Sequence, residues 1–172
     1  MIPRIAVLGC GYWGANHVRT LRSLGALTAV SDRNAALAEG FAKDFGVERL
    51  EVDDVFSHPD IDAIVLALPP QFHSEYSIRA MEAGKDVLVE KPIALTVPDA
   101  EKSVAAAVRT KRVFMVGHVL RYHPAFEKLI GLINAGELGT IKYIHSHRLG
   151  LGKFHTENDA LWDLAPHDLS MI

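Results

Sequence analysis

The chain has 172 residues, enough for one ordinary domain and part of a second. Its 49% hydrophobic and 23% charged residues are globular composition, which excludes a disordered chain, and a net charge of −3 excludes a basic field that would hold a nucleic-acid backbone. No apolar run approaches the roughly 20 residues that cross a bilayer. The start, Met1-Ile2-Pro3-Arg4, leads into a strand and lacks the regions of a signal peptide. Cys10 is the single cysteine, so no internal disulfide can form. Together these features predict a soluble cytoplasmic protein.

The first part of the chain alternates short apolar runs with helical patterns, the signature of an α/β fold with a doubly wound parallel sheet. Arg4–Leu8 reads as a first strand ending at a glycine cluster. A helix from about Gly14 to Ser23 follows, with Val18 and Leu21 inward and Gly25 as its stop. Leu27–Ser31 is a second strand ending at Asp32. Asn34–Phe45 is a helix with Leu37, Phe41 and Phe45 at four-residue intervals, closed by Gly46, and a weak third strand lies near Val47–Leu50. The near-continuous apolar run Ile61–Leu68 reads as a central strand buried on both faces, stopped by Pro69-Pro70. A helix then runs to Ala83-Gly84, and Asp86–Val89 makes another strand. Thr96 is placed to cap a helix with Asp99 three positions on, its buried stripe being Val97, Ala100, Val104 and Val108. Val113–Val116 is the last strand of this unit. Beyond Gly117, Phe126, Leu129, Ile130 and Ile133 mark an amphipathic helix ended by Gly136. Ile141–Leu149 alternates as a half-buried strand, and a loop through Gly150–Asn158 leads to a final helix. The expected division is a Rossmann domain over residues 1–120 and, over 121–172, the start of an α+β substrate domain that is entered but not completed.

Gly9-Cys10-Gly11-Tyr12-Trp13-Gly14 is a G-x-G-x-x-G between a predicted strand and a predicted helix, the context in which the pattern has physical meaning. The first glycine permits the tight turn, the second admits backbone to a pyrophosphate, and the third lets helix and strand pack closely. The phosphate charge then meets the free amides and positive end of the helix. Asp32 lies 18 residues beyond Gly14, where an acidic side chain accepts hydrogen bonds from the adenosine ribose. Its charge repels a 2′-phosphate and favours NAD over NADP, while Arg33 beside it supplies a guanidinium that would hold the extra phosphate. The alternatives are a glycine turn with no ligand, or another nucleotide such as S-adenosylmethionine. Cys10 reads as a small filler of the turn.

Three later segments, Glu90-Lys91-Pro92, Asn134-Ala135-Gly136-Glu137-Leu138-Gly139 and Asp163-Leu164-Ala165-Pro166-His167, join this fingerprint in an order that resembles the glucose–fructose oxidoreductase/inositol dehydrogenase (Gfo/Idh/MocA) family. Within it, Trp162–Asp168 is similar to UDP-N-acetyl-aminosugar 3-dehydrogenases. Members are about twice as long. The resemblance implies an NAD-dependent oxidoreductase that takes hydride from a ring hydroxyl of a sugar or nucleotide-sugar, with C3 of a UDP-aminosugar as the specific expectation. It implies that Lys91 hydrogen-bonds the reacting hydroxyl, that His167 is the acid/base, and that Asp163 shares its polar network. It also implies that Pro69, His73 and Glu90 border the cofactor together with Tyr12 and Trp13 of the loop, and it allows a homo-oligomer without fixing the assembly. Elementary chemistry agrees: imidazole titrates near operating pH, and an ammonium stabilises a developing alkoxide. Asp163 and His167 are four apart and share one helical face. Where members often carry an Asp three residues after the motif histidine, this chain has Ser170.

Other readings stay open. Lys91 reads equally as a solvated strand-end lysine, Asp163 and His167 as a surface pair, His73 as a first-turn helical residue, and Arg121 or Tyr122 as a structural anchor. Nine histidines occur, and His145 and His147 would share one face of a strand with Tyr143, a pairing able to ligate zinc if His155 or His167 joined it. A cofactor-binding fragment or NAD sensor without turnover is the competing whole-chain reading.

Overall fold

A computed structural model describes residues 2–148 and 160–172, and the backbone divides into two units, residues 1–117 and 118–172. The division therefore falls at Gly117, three residues before the expected one.

The first unit is a six-stranded, wholly parallel sheet of order β3-β2-β1-β4-β5-β6. Its strands are β1 (Ile5–Leu8), β2 (Leu27–Ser31), β3 (Glu48–Arg49), β4 (Ala63–Leu66), β5 (Asp86–Val89) and β6 (Phe114–Val116). The order reverses at β1, which pairs with β2 on one side and β4 on the other. This is the doubly wound Rossmann arrangement, and the crevice at such a reversal is where open sheets bind ligands. The register puts Leu8 level with Ser31 and Leu66, Leu66 level with Val89, and Val89 level with Val116. One residue further on, Gly9, Asp32, Ala67, Glu90 and Gly117 consequently leave the sheet in a row along one edge.

Successive residues of each strand feed opposite faces, as the two-residue strand period requires. Ala6, Leu8, Ala29, Ile64, Leu66, Val87 and Val89 join one core cluster, while Val7, Val30 and Val65 join the other. A strand covered on both sides must be apolar throughout, which explains the uninterrupted Ile64-Val65-Leu66 run. Each such fully buried aliphatic side chain contributes about 1.5–3 kcal/mol.

The helices are α1 (Gly14–Ser23), α2 (Ala35–Phe45), α3 (Val52–Ser57), α4 (His73–Glu82) and α5 (Val97–Thr110). Asn34 caps α2 by accepting from the Leu37 N–H, and Gly46 closes it in a left-handed conformation (φ +62°). Phe41 and Phe45 stack at 5.9 Å, but it is Ala38 and Ala42 that are buried. The Thr96 cap of α5 is present, its hydroxyl accepting from the Asp99 N–H and donating to the Asp99 carboxylate. Helix α3 carries no strong sequence signal and was not expected.

One expectation about α5 is overturned. The buried residues are Ser103 and Ala106, whereas Val97, Val104 and Val108 are 64%, 50% and 74% exposed. The cause is close packing against α4, where the Ser74 hydroxyl meets the Ser103 hydroxyl at 2.9 Å and the Asp99 carbonyl at 2.9 Å. Only small side chains fit so narrow an approach, so the larger valines turn outward.

The second unit contains α6 (Pro124–Asn134) and α7 (Ala160–Leu169). The apolar face predicted for α6 is present: Phe126, Leu129, Ile130 and Ile133 line a groove of about 360 Å³ with Ile141 and Met171. Residues 141–148 form no strand, which corrects the expected half-buried strand as far as Arg148; Leu149 and the predicted loop lie outside the described residues. The alternation there lacks a partner strand among the described residues, and alternation without pairing does not make a sheet. Among the described residues, no helix is long and apolar enough to cross a membrane.

Candidate dinucleotide site

The glycine loop follows β1 directly. Gly9 has φ +98°, and a Cβ there would lie 2.3 Å from the Ala67 carbonyl oxygen on the neighbouring strand end. A Cβ on Gly14 would lie 1.9 Å from the Gly9 carbonyl oxygen, so the start of α1 presses directly against the turn. Gly11 is different, for a Cβ there would meet nothing within 4 Å. Two glycines are thus dictated by the protein's own backbone. The third leaves an open approach to the start of α1, which has no side-chain cap. An uncapped helix start with bare backbone in front of it fits a pyrophosphate.

Asp32 shapes the other side of the loop. Its carboxylate accepts from the Cys10 N–H at 2.7 Å and from the Asn34 N–H at 2.7 Å. These bonds hold the carboxyl group at the end of β2 while leaving each oxygen a second lone pair for a further donor. Gly9, Gly11, Asp32, Arg33 and Pro69 line one cavity of about 570 Å³ with Asn34, Leu37, Ala67 and Leu68. Five of the residues singled out in the sequence are therefore brought together. Cys10 is buried beneath them, and burial, then the Asp32 charge, pushes its thiol up to about 12. A thiol so protonated is inert, in keeping with a turn filler.

At the end of β5 the Glu90 carboxylate is an acceptor shared by several donors. Trp13 Nε1–H reaches Oε1 at 2.6 Å and His17 Nε2–H reaches the same oxygen at 2.7 Å. The Lys91 backbone N–H points at Oε2 at 3.3 Å. Trp13 is thereby turned toward the β5 edge, whereas Tyr12 is 86% exposed. His17 was not singled out from the sequence. Its position, three residues after Gly14 on the first turn of α1, was the signal that could have found it.

His73 is buried, with Nδ1 2.7 Å from the Pro92 carbonyl and Nε2 2.8 Å from the Leu68 carbonyl. It therefore ties the turn after β4 to the turn after β5, and Lys91-Pro92 is a cis peptide. Burial lowers its pKa, while the two carbonyls act in the opposite sense. Lys91 is half-buried at the carboxyl edge of the sheet.

Asp163 and His167 lie in the second unit, both half-buried and one turn apart on α7, as their spacing requires. Asp168 is engaged elsewhere: it accepts from Ser146 Oγ at 2.8 Å and Arg148 Nε at 2.6 Å, and Arg148 above all keeps its pKa low. Arg121 donates to the Ser170 carbonyl at 2.7 Å, an anchoring contact. The His145 and His147 rings lie 4.1 Å apart but not on a strand, and His155 lies outside the described residues. Among the described residues, no three His, Cys, Asp or Glu side chains converge to hold a metal ion.

Comparison with known proteins agrees with this geometry. Residues 3–118 match the Gfo/Idh/MocA family, described as an oxidoreductase family with an NAD-binding Rossmann fold. An inositol 2-dehydrogenase of Rhodococcus erythropolis is 38% identical over 155 residues, covering 84% of this chain and 44% of that protein. The scyllo-inositol dehydrogenase of Lactobacillus casei, solved with NAD(H) and scyllo-inositol, superposes with a TM-score of 0.76 at 26% identity, covering 81% of this chain and 43% of the other. A 3-ketoreductase from Actinomadura kijaniata, solved with NADP and TDP-benzene, gives a TM-score of 0.73 at 28% identity, covering 79% and 43%. The chain spans about half the length of the relatives it matches. Its glycine turn, its sheet order and these matches agree: the chain belongs to the Gfo/Idh/MocA oxidoreductase family and carries that family's NAD-binding Rossmann fold.

Proposed function

We propose that this chain serves an NAD-dependent oxidoreductase that oxidises a ring hydroxyl of a sugar-like alcohol. The observation that carries the proposal is the shared sheet edge: the cavity behind Gly9, Gly11 and Asp32 and the Lys91 strand end both lie where the parallel strands terminate. NAD, bound by the glycine turn, supplies the hydride acceptor. The ammonium of Lys91 hydrogen-bonds the hydroxyl oxygen and stabilises the negative charge that grows on it. His167 would take the hydroxyl proton, with Asp163 in the same polar network, while the carbinol hydrogen departs with both electrons of its C–H bond to that acceptor and the C=O bond forms. Asp32 favours NAD by repelling a 2′-phosphate. Arg33, exposed on the same cavity, gives NADP a foothold, and the 3-ketoreductase relative was solved with that cofactor.

The finer substrate reading is a nucleotide-linked aminosugar oxidised at C3. Its support is the Trp162–Asp168 segment and the relative that is a 3-ketoreductase solved with a TDP ligand. Inositol is the competing substrate, named in several relatives. The test is incubation with NAD or NADP and a panel of inositols, UDP-sugars and TDP-sugars, following the absorbance of reduced nicotinamide. Turnover that disappears in Lys91→Ala and His167→Ala supports the enzyme. Cofactor binding without turnover on any alcohol favours the fragment or sensor, and no binding of either cofactor ends the proposal.

A further inference from the structure

Glu90 sits where three segments meet, and each meets it differently. Trp13 and His17, from the glycine loop and the first turn of α1, both donate to Oε1. Its own strand end turns the Lys91 N–H toward Oε2. Gly117, at the end of β6, abuts the carboxylate so closely that a Cβ there would lie 2.9–3.0 Å from its atoms. The carboxylate is largely enclosed, its side chain 13% exposed, and His17 is 22% exposed. A carboxylate with little water around it gains most from fixed N–H donors, and the two nearest come from the glycine loop and α1 rather than from its own strand end.

We propose that Glu90 and His17 are positioning residues that hold the glycine loop at a set distance from the Lys91 strand end. The inference rests on the proposed function, in which the loop carries the cofactor and Lys91 the alcohol. Hydride transfer needs both reacting atoms in near-attack geometry, and a displacement of about 1 Å costs about 10²-fold in rate. The β1–β4 and β4–β5 pairings set the strands themselves, and this link sets the segments that leave them at the edge of the sheet. His17 contributes its Nε2–H, and any residue keeping an N–H there keeps the link. Gly117 matters because a methyl group there would lie 2.9–3.0 Å from the carboxylate and push the end of the Glu90 side chain away from its donors.

Trp13 reports directly on this link. The chain has two tryptophans, so Trp162→Phe leaves Trp13 as the only indole. In that background, Glu90→Leu, which has no acceptor for either donor, is expected to shift Trp13 emission and raise the NAD dissociation constant by about tenfold. His17→Leu is expected to do the same, and His17→Gln to restore both. Lys91→Met should leave emission and NAD affinity native while removing turnover. Gly117→Ala should reproduce the Glu90→Leu spectrum. If it fails to fold, Glu90→Ala with Gly117→Ala should recover folded protein, because the clashing partner has gone. Native emission and native NAD affinity in Glu90→Leu would overturn the inference, as would a double variant no better than Gly117→Ala. Absence of NAD binding in the parent protein strikes the proposed function instead, and Trp13 emission still shows whether the link exists.

Discussion

Gly14 rests against the carbonyl oxygen of Gly9, with only 1.9 Å between that oxygen and the position a Cβ would take. Gly11, between them, faces open space. The two glycines should therefore fail in different ways. Gly14→Ala is expected to cost about 3 kcal/mol of stability through overpacking, seen as a lower thermal midpoint. Gly11→Ala is expected to melt like the parent yet bind NAD more than tenfold less tightly, which calorimetry reads directly.

Asp32 has a structural task and a selective one. Replacing it with Asn leaves one of the Cys10 and Asn34 amides facing an NH₂ group, at a cost of about 1 kcal/mol. It also removes the charge that repels a 2′-phosphate. The NAD:NADP affinity ratio should fall by about tenfold or more in Asp32→Asn and recover toward NAD when Arg33→Ala is added. Unchanged ratios in both variants would rule Asp32 and Arg33 out as discriminators.

His73 makes stability depend on pH. Burial lowers its folded pKa below the ordinary imidazole value. The unfolded chain thus takes up the proton first as pH falls. Stability from this group is complete above about pH 6.5 and declines as the pH drops below it. Thermal midpoints across about pH 8 to 5 should show that decline in the parent and a flatter profile in His73→Gln.

The Cys10 thiol, held at about 12 and buried, should resist alkylation by iodoacetamide at neutral pH for as long as the protein stays folded. Mass spectrometry before and after denaturant checks this, and labelling of the native protein would refute it.

The orientation of α5 is open to a direct comparison. Val108→Lys should change stability by no more than about 0.5 kcal/mol, as for other exposed positions. Ala106→Leu should cost about 1–3 kcal/mol by forcing α4 and α5 apart.

Much of the first unit was legible because its signals are local. A buried parallel strand needs an unbroken apolar run, and Ile64-Val65-Leu66 has one; caps and stops such as Asn34, Gly46 and Thr96 act within four residues. The turn glycines were readable for the same reason. What escaped depended on distant partners. The face of α5 is set by how closely α4 approaches through Ser74 and Ser103, and apolar periodicity alone chose the wrong side. His17 gained its place only through Glu90, 73 residues away in sequence. The expected strand over residues 141–148 had alternation but no pairing partner among the described residues.

Because β1 occupies the middle of the sheet, it is flanked on one side by a strand synthesised some sixty residues later. The edge itself is finished only by β6, whose last residue precedes Gly117. Such nonlocal pairing slows folding, since loops must close before contacts repay them. A nascent chain released before β6 should consequently be unable to capture dinucleotide even though its glycine turn is intact. Ribosome-stalled intermediates of increasing length should acquire that ability in one step rather than gradually.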